Sequence, residues 1–220
     1  MLQLPAFVLV IAAGCAAEPA ATKADVSDAE IEKLVAQLAS PNRAPELDRP
    51  FVVKYDPNYD REAQKKVSEA WMKLRALAPR SFPFVFDHLA DNRYALTEDA
   101  GDFEENYSVG FLCRDILVSH LQPDTWGHKE FGTSFKRRPN QPDYVEHFGL
   151  LDPRSARQWW KTRKDLSLRD LQIEVLQWVL KEEERLTETY TDEDRASVKK
   201  ELAELRASRE PRRPGFPFAK

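Results

Sequence analysis

The sequence predicts an all-α domain of about seven helices joined by two long loops, and three observations carry that expectation. Apolar residues recur three and four positions apart over several runs, the spacing that lines one side of an α-helix. Only 7 glycines stand against 32 % charged residues, a composition of long solvated helices and not of a turn-rich β architecture. Prolines gather chiefly between Pro41 and Pro57 and between Pro123 and Pro153, which marks those stretches as loops.

The helical nucleus runs from Asp60 to Leu121. In Asp60–Ala78 the stripe is Ala63, Val67, Ala70, Trp71, Leu74 and Leu77; in Ser108–Leu121 it is Val109, Leu112, Cys113, Ile116, Leu117, His120 and Leu121. Between them Ser81–Leu89 contributes Phe82, Val85, Phe86 and Leu89. These faces leave water only by stacking on one another, which makes one core and a single domain over residues 27–208. The 33 basic and 37 acidic side chains nearly cancel, to −4, so the molecule lacks the positive field that draws a phosphate backbone, and general nucleic-acid binding is excluded.

At the N-terminus, Leu2–Ala13 is almost uninterruptedly apolar, too short for a membrane-spanning helix of about 20 residues but suited to a cleaved export signal. The motif that follows, Ala12-Ala13-Gly14-Cys15, resembles the lipobox of bacterial lipoproteins. It departs from that pattern in having no Lys or Arg before the apolar run and Ala12 in place of the more usual Leu. The resemblance implies removal of residues 1–14, lipidation of Cys15, membrane attachment through the acyl chains, and localisation in the bacterial envelope. Ordinary secretion with cleavage near Ala17 is the competing reading. Residues 15–26, without apolar period, then form a tether. With Cys15 in the export segment and Cys113 on a buried helical face, no disulfide is expected.

Ser27 and Glu30 form a capping box, and Ile31, Leu34, Val35 and Leu38 follow as the stripe of a first short helix. Asn42–Asn58 reads as a wrapping loop whose Phe51, Val52, Val53 and Tyr55 cover apolar surface, with a short edge strand as the lesser alternative. The helices on either side of Ala78-Pro79-Arg80 must fold back as an antiparallel pair. Trp71, Leu74, Leu77, Pro79, Phe82, Val85, Phe86, Leu89 and Asp91 give residues 61–90 a resemblance to a HEAT-like helical hairpin. It implies irregular α-α superhelical packing and a scaffold that offers surfaces to other molecules.

Thr97–Tyr107 carries Glu98, Asp99, Asp102, Glu104 and Glu105 and no basic residue. Its spacing does not match a calcium loop, and a solvated acidic run ahead of a helix N-terminus accounts for it. Gln122–Asp152 is a long loop with Trp126, Phe131, Phe135, Tyr144 and Phe148 to pin it, made locally basic by Lys136, Arg137 and Arg138. Asp152-Pro153 opens a helix to about Lys164 in which Arg154, Arg157, Lys161, Arg163 and Lys164 flank Trp159 and Trp160. Two uses fit that face: pairing with the acidic loop near Asp102, or binding an acidic glycan, lipid or cell-wall polymer. Ser167 caps a long helix with Leu168, Leu171, Val175, Val179 and Leu186, and Thr191 a last one with a thin stripe of Val198, Leu202 and Leu205. Residues 209–220 read as a flexible basic tail.

No catalytic signature is legible. His88, His120, His128 and His147 lack zinc spacing, His120 follows from its stripe as a core histidine, and Cys113 and His120 lie two turns apart, about 10 Å along a helix, too far for proton transfer. No metal or cofactor is implied. The expected function is an exported, lipid-anchored interaction or structural module without catalysis of its own. Its partner would be another envelope protein or an anionic polymer, and Trp126, Arg137, Arg138, Trp159 and Trp160 are the candidate binding residues. The alternatives are a hydrolase of an envelope polymer, drawing on Glu104, Asp115, His120 or His147, and a glycan-binding protein. A deep pocket gathering a histidine with carboxylates would favour the enzyme, a shallow charged or aromatic groove the binder.

Overall fold

The computed structural model describes residues 26–48, 52–99, 104–122, 143–183 and 192–212. It is mainly α-helical, and the helices share one continuous buried core that runs from Ile31 to Leu205. The first helix, α1 (Asp28–Ala36), starts at the Ser27–Glu30 capping box and buries Ile31 and Val35 against α2 (Arg61–Ala76). Asp60 caps α2 by accepting from the Ala63 N–H at 3.0 Å. Its stripe, Val67, Ala70, Trp71 and Leu74, is at most 3 % exposed, so the helical period there was read in the right phase.

Beyond Pro79 the predicted helix over residues 81–89 is two pieces, α3 (Phe82–Val85) and a 3₁₀ turn (Phe86–His88). The tightening keeps Phe82, Val85, Phe86 and Leu89 fully buried. The wrapping loop contains a small hairpin, β1 (Glu46–Asp48) with β2 (Val52–Lys54).

The larger correction to an all-α reading is the antiparallel hairpin of β3 (Tyr94–Asp99) and β4 (Glu104–Ser108), in the stretch expected to be a solvated acidic run. Its register sets Glu98 opposite Glu105 and Asp99 opposite Glu104, pairs of like charge that by themselves oppose pairing. Buried contacts at the base offset that cost. Leu96 and Tyr107 enter the core, Tyr107 donates to Glu98 at 2.6 Å, and Thr97 donates to Asn106 at 2.7 Å. The Tyr94 hydroxyl, 2.7 Å from that of Tyr59, ties the hairpin back toward α2.

From Ser108, whose hydroxyl accepts from the Phe111 N–H at 3.1 Å, the chain enters α4 (Val109–Leu121). This helix is buried nearly all round and touches α2, α3, both strands of the hairpin, α5 and α7, which makes it the axis of the molecule. Gly110 lets it sit there, because a Cβ would lie 2.7 Å from the carbonyl oxygen of Leu89 and 3.0 Å from that of Asp91. Gly110→Ala is therefore expected to destabilise the protein by about 1–3 kcal/mol despite alanine's better helix propensity. A raised melting midpoint in the variant would show that this elbow yields.

In the second long loop, residues 123–142 lie outside the described part, and α5 (Tyr144–His147) follows. Then come α6 (Pro153–Lys161), α7 (Leu168–Glu183) and α8 (Asp192–Ala207). The thin stripe of α8 packs on α7, and Arg169 of α7 donates from Nε to the carbonyls of Leu205 and Ser208 at its C-terminal end. The tail expected to be flexible is held as far as Arg212. The Arg212 N–H donates to Gln172 Oε1 at 2.9 Å, while its guanidinium meets Glu201 and the Gln122 carbonyl at the end of α4. Gln172 Nε2 in turn donates to the His120 carbonyl at 3.1 Å. A cation among the last carbonyls of a helix both satisfies them and suits the dipole.

Candidate binding cleft

Two groups of polar side chains stand out, one sealed in the core and one open to solvent. The sealed group lies between α2 and α4. Trp71 donates from Nε1 to Asp115 Oδ2 at 3.1 Å, Arg75 Nε lies 3.7 Å from the same oxygen, and His120 Nε2 donates to the Arg75 carbonyl at 2.9 Å. Burial pushes the Asp115 carboxyl up to about 6, against the opposing pull of Arg75 and Trp71. It pushes the His120 imidazole down to about 3, reinforced by the Arg75 charge. The Cys113 thiol, fully buried, is pushed up to about 12. Asp115 and His120, two of the side chains weighed for a hydrolase, are thus 6 % and 2 % exposed and serve the core. Glu98 is half-buried beneath Tyr107, its carboxyl raised by desolvation, and among the described residues no three His, Cys, Asp or Glu side chains gather as a metal site.

The open group is built on α6. Gly149, at φ 59°, ends the turn after α5 in a conformation that favours glycine and brings Leu150 back to the core. Asp152 then caps α6, accepting from the N–H groups of Arg154 at 3.1 Å and Ser155 at 2.9 Å, with Pro153 in the position where no donor is required. Residues four apart stack along a helix, so Arg154, Gln158 and Thr162 form one row and Ser155, Trp159 and Arg163 the next. With His147 and Phe148 these six line an open cleft of about 750 Å³, to which no Asp or Glu contributes among the described residues.

The floor of the cleft is fixed by a closed set of bonds. Tyr144, fully buried, donates to Glu174 Oε1 at 2.7 Å and accepts from Trp159 Nε1 at 2.9 Å. Desolvation, and then its bond to Glu174, raise the Tyr144 hydroxyl above the usual phenol range, so it stays protonated. Arg163 donates from Nε and Nη2 to Glu174 at 2.8 and 2.7 Å, and from Nη1 to the Trp159 carbonyl at 3.3 Å and Thr162 Oγ1 at 3.0 Å. Four of the five N–H donors of a guanidinium are thereby used. Its carbon also lies 5.3 Å from the ring centres of both Phe148 and Trp159. Arg163 is a clamp joining α6 to α7, neutralised by Glu174.

What remains available is a short list. Arg154, exposed, has no ion-pair partner among the described residues, and His147 and Gln158, also exposed, make no hydrogen bond there. Arg157 on the far side of α6 pairs with Asp87 of the 3₁₀ turn. Of the acidic run expected to partner this helix, Asp102 lies outside the described residues, and Glu98 on β3 is engaged by Tyr107.

The binding residues read from the sequence fall as follows. Trp159 is 4 % exposed and forms the floor through its bond to Tyr144. Trp160 packs edge-on against Phe82 at 5.9 Å and Phe86 at 6.4 Å. Both tryptophans of α6 therefore pack inward, Trp159 as the floor of the cleft and Trp160 against Phe82 and Phe86. Trp126, Arg137, Arg138 and the lipobox Cys15 lie outside the described residues. His147, weighed before only as a catalytic group, and Gln158, not singled out at all, emerge at the rim. A second cleft of about 440 Å³, between α1 and α2, is lined by Leu34, Leu77, Lys33 and Lys73 among others, and neither cleft reaches Asp115 or His120. No described helix is long and apolar enough to cross a membrane. No protein-family model matches this chain, and neither curated proteins nor solved structures supply a match.

Proposed function

We propose that this protein is an exported interaction module of the bacterial envelope, anchored through a lipidated Cys15, that holds an anionic partner without transforming it. The observation that carries the reading is the cleft on α6: open, cationic at Arg154, backed by aromatic rings, and lined among the described residues by none of the carboxylates that general acid–base work would need beside His147. Asp115 and His120, the buried side chains weighed for a hydrolase, are shifted by burial but out of a substrate's reach, which further favours binding over hydrolysis. The α2–α3 hairpin bent at Pro79 serves in this reading as a HEAT-like scaffold, with α4 as its axis. The apolar run before Cys15 and the short tether supply export and attachment.

Contacts between exposed charges weaken within a Debye length of about 8 Å at physiological salt. The full-length protein is therefore expected to be retained by isolated, delipidated envelope material at low ionic strength and released as salt rises, and Arg154→Glu should release it at every salt concentration. Cys15→Ser should abolish lipid labelling and membrane fractionation while leaving that retention intact. Retention indifferent to salt and to Arg154→Glu overturns the binding part of this reading, and unchanged fractionation of Cys15→Ser overturns the anchor.

A further inference from the structure

We infer that the α6 cleft is a subsite for an acidic saccharide, with Arg154 taking a sugar carboxylate while Gln158 and His147 take neighbouring hydroxyls. The inference rests on the binding reading above and narrows it to one class of partner. Its first ground is charge density. Arg163, the other guanidinium in the cleft, is neutralised by Glu174 and has four of its N–H groups engaged, so the guanidinium left to a ligand is that of Arg154, whose charge is felt by Asp152 but which makes no ion pair among the described residues. A single guanidinium matches one carboxylate bidentately, whereas a polyphosphate chain would call for several cations side by side.

The second ground is the neutral chemistry around that charge. Gln158 lies one helical turn from Arg154, about 6 Å along the axis, and offers both a donor and an acceptor that make no hydrogen bond among the described residues. His147 arrives from α5, held edge-on to Phe148 at 4.8 Å and tilted on Trp178 at 4.9 Å, so its ring is presented from a fixed position. Free donors and acceptors set beside one cation suit a ligand that carries many hydroxyls and few charges. The half-buried Phe148 between them supplies an apolar surface for the C–H face of a ring. An extended acidic peptide would share the carboxylate and could meet Gln158 and His147 with its backbone, so poly-glutamate is the comparison that separates the two.

The third ground is shape. The cleft is open along its length and its floor is locked by the Tyr144–Glu174–Arg163–Trp159 set, so a chain can lie across it without the protein having to rearrange.

The test is binding of the full-length protein to four polymers at equal monomer concentration and salt: polygalacturonate, poly-glutamate, polyphosphate and neutral dextran. Polygalacturonate should bind at least about tenfold more tightly than the other three, Arg154→Ala should weaken it by about tenfold, and Gln158→Ala by a few-fold, in line with lost charge-assisted and neutral hydrogen bonds. Arg154 and Gln158 are exposed, and unchanged melting midpoints will show that both variants fold. Equal binding of poly-glutamate or polyphosphate overturns the saccharide assignment and leaves the anion-binding module standing. Tight polygalacturonate binding that ignores Arg154→Ala overturns the site. Failure of every polymer to bind overturns the saccharide assignment, and the module reading then stands or falls on its own retention experiment.

Discussion

Replacing Trp71 with alanine is expected to lower stability by about 3–5 kcal/mol, the range for deleting a large buried aromatic side chain. The ring is 3 % exposed on the face of α2 that meets α4, so its removal forfeits the transfer energy of its surface and leaves a cavity that helices on both sides cannot collapse to fill. It also withdraws the Nε1 donor from Asp115 Oδ2, in a place where a carboxylate has little water to turn to. Trp71→Phe separates the two effects, since it keeps much of the volume and loses only the donor. Its cost should be markedly smaller than that of Trp71→Ala. Urea midpoints give both numbers, and a Trp71→Ala midpoint equal to the parent's would mean that the α2–α4 contact is not the core of this fold.

A loss of similar size, about 3–5 kcal/mol, is expected for Asp115→Ala, because it leaves the Arg75 guanidinium at 3 % exposure without this carboxylate. The milder Asp115→Asn should change the pH dependence as well. In the folded protein Asp115 titrates near 6 against an ordinary 3.8, so the stability it contributes is complete below about 3.8 and is lost as pH rises through 6. His120 titrates near 3 against an ordinary 6.5, so its contribution is complete above 6.5 and is lost as pH falls toward 3. Between pH 4 and 6 the two slopes, each at most about 1.4 kcal/mol per pH unit, oppose one another and flatten the parent's profile. Asp115→Asn keeps only the histidine slope, so its stability should drop as pH is lowered from 6 to 4. Parallel profiles for parent and variant would refute the Asp115 shift, and a flat profile for Asp115→Asn would refute that of His120.

Where the chain obeys a single period, the sequence was readable. Val67, Ala70, Trp71 and Leu74, or Ile116, Leu117 and Leu121, announce their helices and their buried sides because burial alone fixes those choices. The β3–β4 hairpin was hidden because its stabilising residues sit among repelling ones. Glu98, Asp99, Glu104 and Glu105 look like a solvated loop until Tyr107 is placed over Glu98 and Asn106 beside Thr97, and those pairings cross the turn. The cleft was half legible. The basic character of α6 and the aromatic residues Tyr144 and Phe148 were visible, but the roles within the group depend on Glu174, eleven positions beyond Arg163 on a different helix. That one partner makes Arg163 a clamp and leaves Arg154 as the free charge. Trp159 and Trp160 were read outward from their neighbours' charge, whereas the donor of Trp159 needs a buried acceptor and finds it in Tyr144.

The reach of Arg212 back to Gln122 has a consequence for biogenesis. A polypeptide delivered N-terminus first leaves the C-terminal end of its central helix open until the ninety positions that separate Gln122 from Arg212 have followed. Until then the carbonyls of His120 and Gln122 have neither Gln172 nor Arg212 to accept from. Such a chain closes the end of its central helix late, which makes the stretch of synthesis that ends at Arg212 the moment at which that end locks.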